Sequence, residues 1–353
     1  MGRLSRIFGE LPGRAGVAAA LALACAAPVA EDAPGVTLRD GRPLMGTLLE
    51  ITLVAESEAS GRAAMEECFA LGAALEAELS NYDADSAVSR LNAAAGRGPQ
   101  PVPPHLARIL QEAQAAARAT GGAFDVTVGP LLALWKKALL RKALPAPGEI
   151  AAARDRVGPG RLRLPGGGRA ALAAGAQVDL GGIGKGYALD RMGERLADRG
   201  IARALLNFGG SSLLARGDGW RVLLRGAGGE IGILSFGGRS VSVSDSQGEF
   251  SEIGGRLYSH IVDPRSGQPV AQSALAIAVA ESGAQAEAWS TALIAAPGQA
   301  AFARARAAPG VEVLLWRPGA APEASPGFHA AASLNFTGPR AAPGGAPVAP
   351  DAP

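Results

Sequence analysis

Asp179-Leu180-Gly181-Gly182-Ile183-Gly184-Lys185-Gly186-Tyr187 is the stretch on which the fold turns. A short apolar approach ends in a carboxylate, four glycines permit a tight turn, and Lys185 opens a helix. Leu189, Met192 and Leu196 form that helix's buried face and Gly200 ends it. Free backbone N–H groups at the helix start, the helix dipole and Lys185 together suit a phosphate. The spacing fits neither the Walker A loop nor the dinucleotide GxGxxG pattern, so a purely structural glycine turn stands beside the phosphate reading.

Helices dominate upstream of this turn. Leu49, Ile51 and Leu53 alternate with Glu50 and Thr52 over 47–54, which predicts a half-buried strand. Met65, Cys68, Phe69, Leu75 and Leu79 then recur at helical spacing until turn formers from Ser80 to Asp85 break the pattern. Pro103 and Pro104 open a second helix carrying Leu106, Ile109, Leu110 and Ala113, stopped by Gly121 and Gly122. Residues 143–177, rich in Pro, Gly, Ala and Arg, read as a variable excursion.

Strands dominate downstream, at 204–206, 230–236, 240–244, 257–262, 274–280 and 311–316, with helices near 285–295 and 299–308. Helices early and strands late, without a regular βαβ repeat, predict an α+β fold.

The 353 residues suffice for one large domain or two smaller ones. With 48% hydrophobic residues, 19% charged, and 34 Lys+Arg against 32 Asp+Glu, the chain is globular and lacks the basic surplus of a nucleic-acid binder. Two cysteines and three histidines are too few and too scattered for a Cys/His zinc site, so a metal would be held mainly by oxygen.

Residues 1–30 read as a signal peptide: Arg3, Arg6 and Arg14, an apolar run from Ala15 to Ala27, then Pro28. The run is shorter than the roughly twenty residues a membrane span needs, which favours export over an anchor helix. Cys25 follows Ala22-Leu23-Ala24, which resembles a lipoprotein box with Ala where Leu is usual and serves equally as an Ala-x-Ala cleavage site. Either outcome leaves Cys68 without an intrachain partner. Residues 31–336 form the folded domain, and the Pro-, Ala- and Gly-rich stretch 337–353 reads as a disordered tail.

Three further clusters carry chemistry. Asp125 sits in the apolar stretch from Gly122 to Leu131, where a carboxylate needs a partner, although turn capping is equally open. His260 stands beside the Asp263-Pro264 turn, suited to proton transfer or to a structural role. Glu287 and Thr291 lie at i and i+4 on a helix with Ser290 flanking them, a magnesium half-site or a solvated face.

In their order along the chain these motifs resemble the ApbE family of FAD:protein FMN transferases. Met45-Gly46-Thr47, Ser80-Asn81-Tyr82 with Ser86 and Asn92, Phe124 to Leu131, Asp179 to Tyr187, Asn207 to Gly210, His260 to Gly267 and Ala286 to Thr291 carry the resemblance, over roughly residues 40–336. It implies a single α+β flavin-transferase domain with mixed or antiparallel sheets and flanking helices. It also implies an exported protein, periplasmic or on the outer face of the cytoplasmic membrane, with a lipid anchor if Cys25 is modified.

The implied activity is Mg²⁺-dependent cleavage of FAD, transfer of FMN through its phosphate to a Thr or Ser of an acceptor flavoprotein, and release of AMP. Position by position, Met45, Tyr82, Ala123, Phe124, Asp125, Asp179, Lys185 and Val262 correspond to FAD contacts, with His260 beside the last. The metal positions correspond to the Gly182 carbonyl and the side chains of Glu287, Ser290 and Thr291; His260, Asp179 and Lys185 are the candidate catalytic groups.

Two departures stand out. The family generally has Asp where this chain has Glu287, and often Asp or another polar residue at Ser290; its usual Ser-Gly is Ser244-Asp245 here. Glu is one methylene longer than Asp, and magnesium tolerates little deviation from octahedral geometry. The alternatives are an FAD pyrophosphatase that gives FMN and AMP, with water in place of the acceptor hydroxyl, and a flavin-binding protein without turnover.

Overall fold

Leu49, Ile51 and Leu53 are fully buried in a strand, Thr47–Ala55, whose intervening residues are half-buried. The strand pairs antiparallel with Val36–Leu44 through a two-residue turn at Met45 and Gly46. The computed structural model describes residues 35–336 apart from 227–228, 247–249, 254–255 and 297. The expected signal peptide with Cys25, and the expected tail 337–353, lie outside the described residues.

Eight strands form the main sheet, and their spatial order is their chain order: Val36–Leu44, Thr47–Ala55, Arg203–Phe208, Ser212–Arg216, Ser240–Asp245, Leu275–Ala280, Val311–Trp316 and Glu323–Ala324. Every neighbouring pair in it is antiparallel. Alternate side chains serve two cores, as the pleat requires. Leu206, Ala276 and Ala278 face a core built with helices, while Leu205, Leu213, Ile277 and Val279 face a second one. The second core is closed by the antiparallel hairpin Trp220–Gly226 and Gly229–Phe236 with Ala332–Phe336.

Leu275–Ala280 is buried along its whole length because both faces are covered, which explains why LAIAVA shows no polar alternation. The fold is α+β, as the sequence predicts, with antiparallel ladders throughout the sheets.

The helical layer is inserted between the second and third strands. Glu58–Leu79 is opened by Ser57, whose hydroxyl accepts from the Ser60 N–H in a reciprocal cap. Its inward residues Met65, Cys68, Phe69, Leu75 and Leu79 are those the periodicity selected. Cys68 is a free, buried thiol that burial pushes up to about 12, so it behaves as a small apolar residue. Pro104–Ala119, Gly184–Asp198 and, from between the sixth and seventh strands, Gly283–Ala295 pack on this side too.

Several elements differ from expectation. The edge strand Val36–Leu44, the helix Gly129–Arg141 and the strand Ser212–Arg216 were not signalled by pattern. The excursion holds the helix Pro147–Arg154 and the hairpin Leu162–Gly166 with Arg169–Leu172. The strand expected over 257–262 ends at Ser259, and Val262 makes only a single bridge, to Pro269.

The Gly184–Asp198 helix crosses Gly283–Ala295 at a point where both backbones lack side chains. A Cβ on Gly186 would fall 2.1 Å from the Gly283 carbonyl oxygen, and one on Gly283 would fall 2.6 Å from that of Gly186. Asp190, one turn on, accepts hydrogen bonds from the N–H groups of Gly283 and Ala284 and from the Ser282 hydroxyl, which fixes the second helix's N-terminus. The variant Gly186→Ala should lose about 3 kcal/mol of stability in urea denaturation, since both atoms in the clash belong to backbone. Gly148→Ala, in a helix with open space around it, should be neutral or slightly stabilising.

Candidate functional site

A cleft of about 830 Å³ opens where the glycine turn, the first hairpin and the Gly283–Ala295 helix meet. Met45, Tyr82, Ala123, Phe124, Asp125, Asp179, Gly182, Lys185, His260, Val262, Glu287 and Thr291 all line it. Ser290 does not: its hydroxyl is fully buried behind the wall, donates to the Glu287 carbonyl and lies 2.9 Å from the hydroxyls of Ser242 and Ser244.

The rim comes from local backbone features. Met45 and Gly46 both have positive φ, +47° and +74°, the geometry of a tight turn whose twist matches its strands. Methionine rarely adopts this region, so a side chain other than the usual Asn or Gly is held at the cleft edge. Tyr82, just past the end of the Glu58–Leu79 helix, is 95% exposed, and its N–H donates to the Ser80 hydroxyl. An aromatic ring this exposed beside a cleft is a ready stacking surface. Phe124 is nearly buried and packs on Gly182, where a Cβ would come 3.2 Å from its ring. It offers the cleft only part of its ring.

Asparagines hold the approach to the glycine turn. Asn92 closes a two-way hydrogen bond with the backbone of Val178, and Asn81 donates to the Val178 carbonyl and to Asp179. The other Asp179 oxygen accepts from the Gly181 N–H. Burial raises the Asp179 carboxyl above its ordinary range while these hydrogen bonds pull it back. Asp125 takes the Thr127 N–H and hydroxyl on one oxygen, and its other oxygen is buried with no partner among the described residues. Burial raises this carboxyl as well.

Glu287 is the most heavily engaged group. One oxygen accepts from the Gly186 N–H at 2.8 Å; the other accepts from Ser212 and lies 3.3 Å from the Lys185 ammonium. The Gly186–Gly283 crossing brings a helix-start N–H within reach of this carboxylate. Thr291, one turn along, also lines the cleft. Its Oγ1 lies 3.3 Å from where a Gly182 Cβ would stand, so the Gly182 backbone and the Thr291 hydroxyl are neighbours.

The Glu287 carboxylate, the Thr291 hydroxyl and the adjacent Gly182 backbone are oxygen donors of the kind magnesium takes, with both Glu287 oxygens already met by Gly186, Ser212 and Lys185. Ser290 is outside the set because its hydroxyl is spent behind the wall. Asp245 also lines the cleft.

His260 lies exposed on a bend after the strand Arg256–Ser259, on the cleft wall. Asp263 serves the neighbouring turn: its carboxylate takes the Arg265 N–H and guanidinium, and its carbonyl takes the Gly267 N–H. Ser212 and Asn81 were not among the predicted site residues. Ser212 lies two residues past the Asn207 to Gly210 motif and carries no signal of its own; Asn81 lies inside the Ser80–Tyr82 motif.

The sequence profile of the ApbE family matches residues 45–315. The FAD:protein FMN transferase of Salmonella typhimurium is 31% identical over 285 residues, covering 74% of this chain and 79% of its own length. That of Treponema pallidum is 30% identical over 314 residues, covering 81% and 86%. The apo crystal structure of the Pseudomonas stutzeri flavinyl transferase ApbE is similar with a TM-score of 0.75 at 27% identity, covering 84% of this chain and 97% of that one.

The Asp125 carboxyl gives the cleft a pH signature. Its folded value lies above the ordinary 3.8, so its contribution to stability is complete below that value and is lost as pH rises through the folded one. Asp125→Asn keeps an acceptor for Thr127 and removes the loss. The stability gained by this variant over the parent, from urea denaturation, should be near zero at about pH 3.5 and grow toward neutral pH. A gain that stays flat across that range would contradict the burial of an unpartnered carboxylate.

Proposed function

The chain belongs to the ApbE family, and we propose that it is a magnesium-dependent FAD:protein FMN transferase that attaches FMN to a Thr or Ser of an acceptor protein and releases AMP. The observation that carries this reading is the Glu287 cluster, in which one carboxylate joins Lys185, the glycine-turn N–H of Gly186 and the helix bearing Thr291 at the floor of the cleft.

The acceptor hydroxyl oxygen attacks the phosphorus on the FMN side of the pyrophosphate, a new P–O bond forms, and the P–O bond to AMP breaks. Lys185 and the N-terminus of its helix bind the phosphates; Tyr82 at the rim supports a ring, and Met45 and Asp125 face the same space. The chemistry supplied by a divalent cation held on Glu287, Thr291 and Gly182 is neutralisation of charge on the pyrophosphate. The hydroxyl proton goes to His260 at the rim or to Asp179, whose burial-raised carboxyl is a better acceptor near neutral pH than an exposed one.

The same reading places the protein outside the cytoplasm, in the periplasm or lipid-anchored through Cys25 to the outer face of the cytoplasmic membrane. Its support is the basic-then-apolar leader. Among the described residues no helix is long and apolar enough to cross a membrane.

The test is to incubate the purified protein with FAD, Mg²⁺ and an acceptor flavoprotein, following in-gel flavin fluorescence and AMP together. A fluorescent acceptor with matching AMP, abolished by EDTA, is expected. AMP without a labelled acceptor would identify a pyrophosphatase, and FAD bound but unchanged would identify a carrier. Glu287→Gln and Thr291→Ala should each lower turnover about 10²-fold, whereas Ser290→Ala, behind the wall, should cost less than about tenfold. Equal losses in Ser290→Ala and Thr291→Ala would place the metal donors differently.

A further inference from the structure

From Leu131 to Gly148 the sequence LLALWKKALLRKALPAPG contains four cations, no Asp or Glu, and no Ser, Thr, Asn, Gln or His. It opens within the Gly129–Arg141 helix. Leu131, Trp135 and Ala138 are buried and define that helix's inward side, packed with Ala153, Ile253 and Val262. Helical periodicity then turns Leu140 outward, one turn beyond Lys136 and Lys137.

Leu140 is 73% exposed, and Leu144, past the helix end, is 49% exposed. Among the described residues seven large hydrophobic side chains are exposed, and Leu139, Leu140 and Leu144 put three of them within one short segment. Isolated exposed leucines are ordinary, whereas a cluster marks a surface that something covers. The cluster is also held in place. Lys142 closes the helix in the left-handed conformation, and the Arg141 guanidinium donates to the carbonyls of Ala143 and Leu144.

The charges around these leucines select the partner. Lys136, Lys137, Arg141 and Lys142 are all exposed beside them. The neighbouring helix Pro147–Arg154 supplies Glu149, which is taken by Arg141. The hairpin Phe250–Ile253 with Arg256–Ser259 turns Ile253 and Tyr258 toward the helix, so the pleat turns Glu252 away from it. What is left is a positive, apolar surface without neutral hydrogen-bonding side chains. Protein interfaces are depleted in lysine and carry about one hydrogen bond per 100–200 Å². Leucine with lysine and no such groups is instead the pattern of a helix lying on a lipid surface, where lysine stems run along the apolar part and the ammonium groups stay with the headgroups.

We propose that the Leu139–Leu144 face docks on an anionic lipid bilayer, with Leu140 and Leu144 entering the headgroup region and Lys136, Lys137 and Lys142 on lipid phosphates. Val128 and Leu132, at the start of the same helix, line the large cleft, so the contact holds the cleft within a helix length, about 20 Å, of the membrane. No helix among the described residues is long and apolar enough to cross a bilayer, so this contact is peripheral. It is separate from the leader and does not depend on the transferase reading.

The experiment uses the full chain with Cys25→Ser, which excludes lipid attachment, and with Ala143→Cys carrying an environment-sensitive fluorophore. Cys68 escapes labelling because it is buried and its thiol is pushed up to about 12. The protein is mixed with vesicles of phosphatidylcholine alone, or of equal parts phosphatidylcholine and phosphatidylglycerol. A blue-shifted emission with the anionic vesicles only, weakened by salt, is expected. Lys136→Glu with Lys137→Glu, and separately Leu140→Ser with Leu144→Ser, should each weaken vesicle affinity about tenfold or more. FAD binding equal to the parent's would show that these variants fold. Vesicle binding without a shift would assign adsorption to the leader, and equal shifts on both vesicle types would remove the role of charge; either result overturns the proposal. No shift and no vesicle binding overturns it as well, and acceptor labelling then lost in Lys136→Glu with Lys137→Glu would make this the face that receives the acceptor protein.

Discussion

Two backbones touch where Gly186 and Gly283 cross, and the large cleft depends on that contact. With any side chain at either position the helices would separate, and the Gly186 N–H would withdraw from the Glu287 carboxylate. The approach also lets Asp190 reach across to hold the start of the second helix. One sterically enforced contact therefore sets both the depth of the cleft and the position of its acidic floor. The small side chains of Ala276, Ala278 and Ala280 extend the same logic, because they belong to the core on the helical side of the central sheet.

Buried carboxylates in this protein are treated in two ways. Glu287 and Asp190 have both oxygens met by backbone and side-chain donors. Asp125 has one oxygen met and the other without a partner among the described residues, and burial holds its proton more firmly than in water. The two treatments leave Asp125 with an open oxygen at the cleft and Glu287 with none.

Much of this was legible in the sequence. The helix faces at Met65 to Leu79 and Leu106 to Ala113 came from periodicity, and the α+β class from helices preceding strands. The site residues could be assembled only through the order of their motifs, because no local pattern links Tyr82 to Glu287. Ser290 shows the limit: its spacing from Glu287 placed it beside a helix face, but which of two neighbouring helix directions meets the sheet depends on packing, and Ser242 and Ser244 take it. The Gly129–Arg141 helix and the Ser212–Arg216 strand escaped notice because one begins inside a motif read for its chemistry and the other is a short apolar run without alternation.

Strand order following chain order has a kinetic side. From Arg203 onward each strand pairs with the next strand of the main sheet along the chain. The first hairpin is different: Val54 pairs with Arg203, about 150 residues away, so its docking needs a loop closure that the other pairings do not. The hairpin that carries Met45 and Thr47 should therefore join last and detach first. Amide exchange would then open along that edge ahead of the central strands, and the mouth of the cleft would be the final part of the molecule to be assembled.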